Sequence, residues 1–382
     1  SRQADTYLAW PTVAMSSSGT LFVVFSGDRE EHICPYGKTQ MVTSIDNGQT
    51  WSQPTTINNT LLDDRDAGLV VLKSGTLLLT WFTYPTSTNI VNLQNQKKWL
   101  GTIDGPFAHF TSEQTGRWAR HLDSIKTITD ATGVGYGCWS RRSTDGGLTW
   151  EKPIDTLGSN PHGPIQLRDG RLLLVGWISP LSDPLRQEGN AAIPETIIAV
   201  ESKNEGHSWR EIGIIMPQPT EGASYSEPHV MELDDGTLIC LARYMPPIGS
   251  QNDRYMRQSE SYDGGLTWTQ PPPSNMWGYP PHLIRLSNGE GLATYGYRRP
   301  PFGQRACVYQ KVRDNLLGGE SSGNWDIGNV IVLRDDSTTD DLGYPSTVEL
   351  SPGEMLTVYY QSYRASEKPS IIATRWTLYP RD

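Results

Sequence analysis

The pattern Ser-x-Asp-x-Gly-x-Thr-Trp recurs along this chain at residues 44–51, 143–150 and 261–268, with a looser copy at 202–209. A further trace surrounds Trp325. The tryptophans at 51, 150, 209, 268 and 325 stand 99, 59, 59 and 57 residues apart, a period near 60 with one insertion of about 40 residues. Such a period is the mark of a repeat architecture in which one supersecondary unit recurs. The chemistry of each box is local. Asp or Asn accepts backbone N–H groups inside the turn, Gly supplies the left-handed conformation, and Trp anchors the turn to its unit. The boxes are therefore read as staples of hairpins with no part in catalysis.

A second repeat counts the units. A hydrophobic strand, a polar turn and another hydrophobic strand occur six times, centred on Gly19, Gly75, Gly170, Gly236, Gly289 and Gly353. Residues 227–243 and 344–360 show the alternation well. Six hairpins, most of them followed by an Asp-box hairpin, predict an all-β chain: one six-bladed β-propeller spanning 1–382, with a blade 2 insertion at about 84–136. In such a ring the innermost strands begin at the mouth of the central channel, and the Asp boxes fall on the opposite face. The insertion mixes charged and apolar residues over 99–128, and is expected to contain a short helix and to form a wall of the binding site.

Composition excludes several partners. The chain carries 42 Asp and Glu against 32 Lys and Arg, a net charge of −10 that would repel a nucleic-acid backbone. No run of 18 apolar residues is present, so no membrane span is expected. The cysteines, Cys34, Cys138, Cys240 and Cys307, are scattered and form no CxxC pair, which argues against a zinc site. Cys240 lies in an apolar run and reads as a buried free thiol. No cofactor or metal is implied. The start at Ser1, without Met or an apolar leader, is what either a cleaved leader or a trimmed chain would produce, and a secreted or periplasmic location is the expectation.

Aligning the six hairpins on their turn glycines brings one residue per blade to the channel mouth. Nine positions before each glycine stand Trp10, Asp66, Pro161, Glu227, Pro280 and Tyr344. Three of these, Asp66, Glu227 and Tyr344, can act as acid, base or nucleophile. One or two positions further in stand His162, His229 and His282, three of only seven histidines in the chain. They either cap strand ends or line a polar sugar pocket. A hairpin centred on Asp235 sets Glu227 directly opposite Arg243, a carboxylate beside a guanidinium at the channel mouth.

With its Asp boxes and six hairpins, the chain resembles the sialidase (neuraminidase) superfamily of Asp-box, or BNR-repeat, propellers over nearly its whole length. The resemblance implies a secreted glycosidase acting on the end of a glycan. It identifies Glu227 and Arg243 with the stretch that carries the family's catalytic glutamate and one carboxylate-binding arginine. Tyr344, in the segment YPSTVEL, matches the tyrosine nucleophile, for which Glu227 would be the base. A neutral phenol can attack an anionic sugar without charge repulsion. A further clamp arginine is implied in blade 5, where Arg298 and Arg305 are the leading candidates, since a guanidinium fork binds a carboxylate bidentately.

Two positions depart from the family. Its first clamp arginine, in Tyr-Arg-Ile-Pro, is replaced here by Ala9 in Leu8-Ala9-Trp10-Pro11. Arg29 and Arg65 are the possible substitutes. The family's acid/base aspartate follows the first hairpin, where this chain reads Asp28-Arg29-Glu30-Glu31-His32, leaving His32, Glu31 and Asp66 as candidate acids. These departures argue for a sialic-acid-like keto-sugar acid or a uronic acid over ordinary sialic acid. Three functions stay open: an exo-acting glycoside hydrolase on such a sugar, a polysaccharide lyase or inverting hydrolase on uronic glycans with His and Tyr as base and acid, and a non-catalytic carbohydrate-binding propeller.

Overall fold

The computed structural model describes residues 6–84, 108–132, 137–178, 196–216, 223–247, 249–250, 253–310, 324–364 and 366–378. Among them are six antiparallel sheets of four, four, five, four, five and three strands in chain order. Each runs outward from one innermost strand, as expected for six blades of a propeller. The innermost strands of blades 1, 2, 4 and 6 are Tyr7–Met15, Asp63–Val71, Ser224–Glu232 and Gly343–Ser351. Blade 5 begins with Pro281–Arg285, and blade 3 with two short strands, Gly158–Ser159 and Ile165–Gln166. The inner strands of blades 1 and 6 touch, and Leu8 donates its N–H to Pro369 O at 3.2 Å, so the ring closes on itself.

The blades cohere through apolar faces packed between neighbours. Leu173, Val175, Val230, Leu238 and Cys240 belong to one cluster joining blades 3 and 4. Tyr7, Leu8, Val23, Tyr344, Leu356 and Val358 form another, between blades 1 and 6. Full burial of each such side chain contributes about 1.5–3 kcal/mol. All four cysteines are buried and none is in a disulfide, Cys240 among them.

The Asp boxes are built as their chemistry requires. In blade 4 the Asp263 carboxylate accepts the Thr267 N–H at 2.9 Å and the Ser261 hydroxyl at 2.9 Å, and the Trp268 indole donates to Gly265 O at 2.9 Å. Each box joins the third strand of a blade to the fourth, so antiparallel order places it at the end away from the channel mouth. Trp325 is used differently. Its indole donates to Gln258 Oε1 at 2.7 Å and ties blade 5 to blade 4.

The insertion contains a helix, as expected, among the residues described. Residues 85–107 and 133–136 lie outside the described residues, and the remainder holds a helix, Ser112–Thr132, of 21 residues. Trp118 and Leu122 are buried, Leu122 against Leu62, and His121 Nε2 bonds Pro35 O at 2.9 Å and Leu61 O at 3.0 Å. The helix thus braces the 30–36 loop of blade 1 from outside and contributes no residue to the cavity wall described below. No described helix is long and apolar enough to cross a membrane.

Candidate active site

At the beginning of four inner strands one non-glycine residue has left-handed backbone: Trp10 at φ 52°, Asp66 at 49°, Glu227 at 49° and Tyr344 at 49°. These are four of the six positions that the hairpin alignment superposes. In each strand the pairing slips there, between Ala9 and Thr12, Arg65 and Gly68, Ser226 and His229, and Gly343 and Ser346. A β-bulge twists the strand and re-aims one side chain. Left-handed backbone costs such residues about 1–3 kcal/mol and clusters where function demands it. The remaining two positions, Pro161 and Pro280, are excluded from this conformation by the proline ring.

The bulge also corrects the expected register. Ser226, not Glu227, stands opposite Arg243. Glu227 is the extra residue, and its carboxylate turns toward the mouth. The signal was present in the sequence. Proline follows Trp10, Glu227 and Tyr344, and proline inside an inner strand marks a bulge because it has no N–H to give the ladder.

A cavity of about 450 Å³ opens at the mouth, lined by Arg65, Asp66, Glu227, Arg243, Arg298, Tyr344 and His32 together with Phe82, Asn160, Pro161, Trp177, Ser226 and Met245. Arg243 NH1 bonds both Glu227 oxygens, at 3.0 and 2.8 Å. The Tyr344 hydroxyl donates to the same carboxylate. Burial works to raise the Glu227 pKa, but the Arg243 charge and the Tyr344 hydrogen bond outweigh it and hold the group below its usual value. Tyr344 moves oppositely: burial, then the nearby negative charges of Glu227 and Asp66, keep its phenol protonated well above the ordinary range. Burial pushes Asp66 up to about 7, against the pull of Arg65. Its Oδ1 has no hydrogen-bond partner among the described residues.

The arginines divide. Arg243 and Arg298 both lie over the Tyr279 ring, at 4.1 and 5.0 Å, and the Arg298 guanidinium makes no hydrogen bond among the described residues. Arg65 lies over the Trp10 ring at 4.2 Å and reaches the cavity from blade 2. Arg305 does not reach it. That side chain is spent on the backbone oxygens of Gln304, Arg334 and Pro301, pinning an outer strand of its blade. Arg29 is also withdrawn, buried in a two-pronged ion pair with Asp63. Ala9 is fully buried. Three guanidinium groups thus face one ionised carboxylate, giving a positive cavity in a negative protein.

His162, His229 and His282 meet on the channel axis and do not line the cavity. His229 and His282 stack with centroids 4.7 Å apart, and His162 stands edge-on to both at 5.5 and 4.9 Å. His229 Nδ1 accepts the Leu283 N–H at 2.9 Å, and His282 Nδ1 the Thr347 N–H at 3.3 Å. Burial drives all three below the usual imidazole range, His229 to about 3, so they are neutral structural groups. Their place is the strand-capping one, not the pocket-lining one. No group of three or more His, Cys, Asp or Glu among the described residues is arranged to hold a metal ion.

His32 is half-exposed at the rim, its ring edge-on to Trp10 at 5.0 Å. Glu31 turns outward to His109 at 2.9 Å and Lys368 at 3.5 Å, which removes it as an acid. Tyr7, Asp341 and Tyr360, which hold His32, were not legible in the sequence. Phe82, Trp177 and Met245 form an apolar wall that likewise had no signal, since each lies near the end of the second strand of its blade, in an ordinary apolar run.

Residues 124–357 match the family model described as BNR repeat-like domain. The chain belongs to that family. This BNR propeller is 25% identical over 317 residues to a sialidase of Paraclostridium sordellii, spanning 76% of the present chain and 62% of the sialidase's own length. In fold it is similar to a protein of unknown function from Dyadobacter fermentans, with TM-score 0.71, 24% identity and coverage of 98% and 95% of the two chains. It is similar also to the intramolecular trans-sialidase of Ruminococcus gnavus, with TM-score 0.64, 15% identity and coverage of 97% and 94%. An α-L-arabinanase of Penicillium chrysogenum shares the architecture at TM-score 0.57 and 14% identity, covering 98% and 97%. The same propeller therefore supports sialidases and an arabinanase, and the substrate must be argued from the site.

Proposed function

We propose that this BNR propeller is a retaining, exo-acting glycoside hydrolase for a sugar carrying a carboxylate. The observation that supports this most is the Tyr344 hydroxyl donating to a Glu227 carboxylate that Arg243 holds. Glu227 takes the phenolic proton as Tyr344 oxygen attacks the anomeric carbon, and returns it when water releases the sugar. The raised phenol pKa makes this base necessary. Arg243 and Arg298 bind the carboxylate, with Arg65 as a third cation supplied by blade 2 where the first blade offers Ala9. The histidine-based lyase reading loses its support where three of the four candidate histidines are buried under the site.

Kinetics on a panel of acidic and neutral glycosides test this. Tyr344→Phe is expected to lose at least about 10³-fold in kcat. A substrate analogue fluorinated beside the anomeric carbon is expected to leave its mass on Tyr344. A missing charged hydrogen bond costs about 1.5–3 kcal/mol. Ordinary sialosides, which find no guanidinium from blade 1, are therefore expected to react about 10- to 150-fold more slowly than glycosides whose anion reaches Arg65. Brisk turnover of a neutral glycoside that Arg243→Ala leaves unchanged would remove the acidic-sugar reading.

A further inference from the structure

We propose that His32 is the general acid and base of this reaction, in place of the carboxylic acid that most glycosidases use; the inference rests on the glycosidase reading above. A hydrogen-bond chain sets the tautomer of His32, and counting protons fixes its direction. Tyr360 donates to Asp341 Oδ1 at 2.9 Å and Tyr7 donates to Asp341 Oδ2 at 2.8 Å. Each phenol has one proton, so Tyr7 oxygen can only accept from its other neighbour, His32 Nδ1, at 2.8 Å. The ring must then carry its proton on Nδ1. Nε2 is left as the atom that gains and loses a proton on the cavity side, where Arg65 NH2 stands 3.5 Å away. A carboxylate that holds an imidazole through its far nitrogen sets both tautomer and orientation, as a catalytic base requires.

The loop that presents His32 is fastened on both sides. Glu30 is bonded by Arg117 and by the Trp118 indole of the inserted helix, and its carbonyl oxygen accepts from Lys368. The described helix of the insertion therefore acts on the site through His32. The charged and titratable groups facing the imidazole are Arg65 from blade 2, Arg29 and Tyr7 from blade 1, and Asp341 from the approach to blade 6. Burial, with Arg65 and Arg29, lowers the imidazole pKa, and Asp341 opposes them. A substrate carboxylate on Arg65 would offset the arginine and favour the imidazolium. Asp66, the competing acid, lines the same cavity and has no comparable chain to orient it, its Oδ1 having no hydrogen-bond partner among the described residues.

The protons balance. In the first half, imidazolium Nε2 gives its proton to the leaving oxygen as the glycosidic bond breaks and the bond to Tyr344 oxygen forms. In the second, Nε2 takes a proton from water, the hydroxide joins the anomeric carbon, and Tyr344 leaves with the proton held by Glu227.

The test compares wild type with His32→Asn, Asp341→Asn and Asp66→Asn on acidic glycosides bearing an alkyl or a dinitrophenyl leaving group. His32→Asn is expected to lose about 10²- to 10⁴-fold in kcat/KM on the alkyl glycoside, and only a few-fold on the dinitrophenyl one, which needs no proton. It should also lose the alkaline limb of the kcat/KM profile, and Asp341→Asn should move that limb to lower pH. Nitrogen-15 spectra of the wild-type imidazole read the tautomer independently of turnover: Nδ1–H is expected, and loss of its preference in Tyr7→Phe. A dominant Nε2–H tautomer, or a His32→Asn enzyme with an unchanged limb and unchanged leaving-group dependence, overturns the assignment. If Asp66→Asn shows the losses instead, the acid is Asp66. Absence of turnover of every acidic glycoside by wild type removes the glycosidase reading, and this assignment with it.

Discussion

Burial acts on the two carboxyls of the cavity in the same direction, yet they end in opposite states because only one has a cation bonded to it. Glu227 has Arg243 on both oxygens and is ionised. Asp66 has no hydrogen bond on Oδ1 and holds its proton up to about pH 7. That difference has a thermodynamic consequence. The folded pKa of Asp66 is above the unfolded one, so its contribution to stability is complete below about pH 4 and is lost as pH rises through about 7. A shift of this size corresponds to as much as about 4 kcal/mol. Asp66→Asn, which mimics the protonated acid, is expected to raise Tm relative to wild type at pH 8 and to match it near pH 4. An equal effect at both pH values would show that Asp66 is ionised in the folded protein.

At the scale of the element, one device is used four times. The inner strand has a bulge near its start and the bulge residue goes left-handed; Asp66, Glu227 and Tyr344 thereby line the cavity, and Trp10 lies beneath Arg65. Trp10, Asp66, Glu227 and Tyr344 differ in chemistry but share this geometry. The other end of each blade is reserved for stability. Burial works to raise the Asp263 carboxylate of the blade 4 box, but the hydrogen bonds from Thr267, Ser261 and Leu266 together outweigh it and keep the group below the usual range. Asp263→Ala is expected to lower Tm by about 1–3 °C. It should leave kcat/KM unchanged, because the box lies at the far end of the strands that carry the site. A drop in kcat/KM without a change in Tm would mean that the two faces are coupled. The inserted helix is the exception to this division, since it stabilises a loop at the mouth end.

The whole molecule closes around three neutral imidazoles, and closure makes it sensitive to acid. His162, His229 and His282 have folded pKa values below that of a free imidazole. Their contribution is therefore present above about pH 6.5 and is lost as pH falls toward about 3. In Asp66→Asn, where the opposing gain from Asp66 is absent, Tm is expected to decline from about pH 6.5 to about 5, a window in which ordinary carboxylates are mostly ionised. A flat Tm of that variant over the window would count against neutral histidines in the channel. The sequence alone determined the blade count, because a period near 60 and six hairpin turns are local patterns that each blade must repeat to bury its faces. In blades 1, 2, 4 and 6 it also determined which residue takes the equivalent place near the start of the inner strand, because hairpin register is a matter of counting from the turn. Tertiary structure decided the rest. Which arginine reaches the cavity depends on partners distant in sequence: Asp63 withdraws Arg29, the backbone at Pro301 and Arg334 withdraws Arg305, and Trp10 supports Arg65. Whether a histidine caps a strand or faces a ligand depends on how far past the bulge it falls, and the bulge exists only once the strands are paired and the ring is closed.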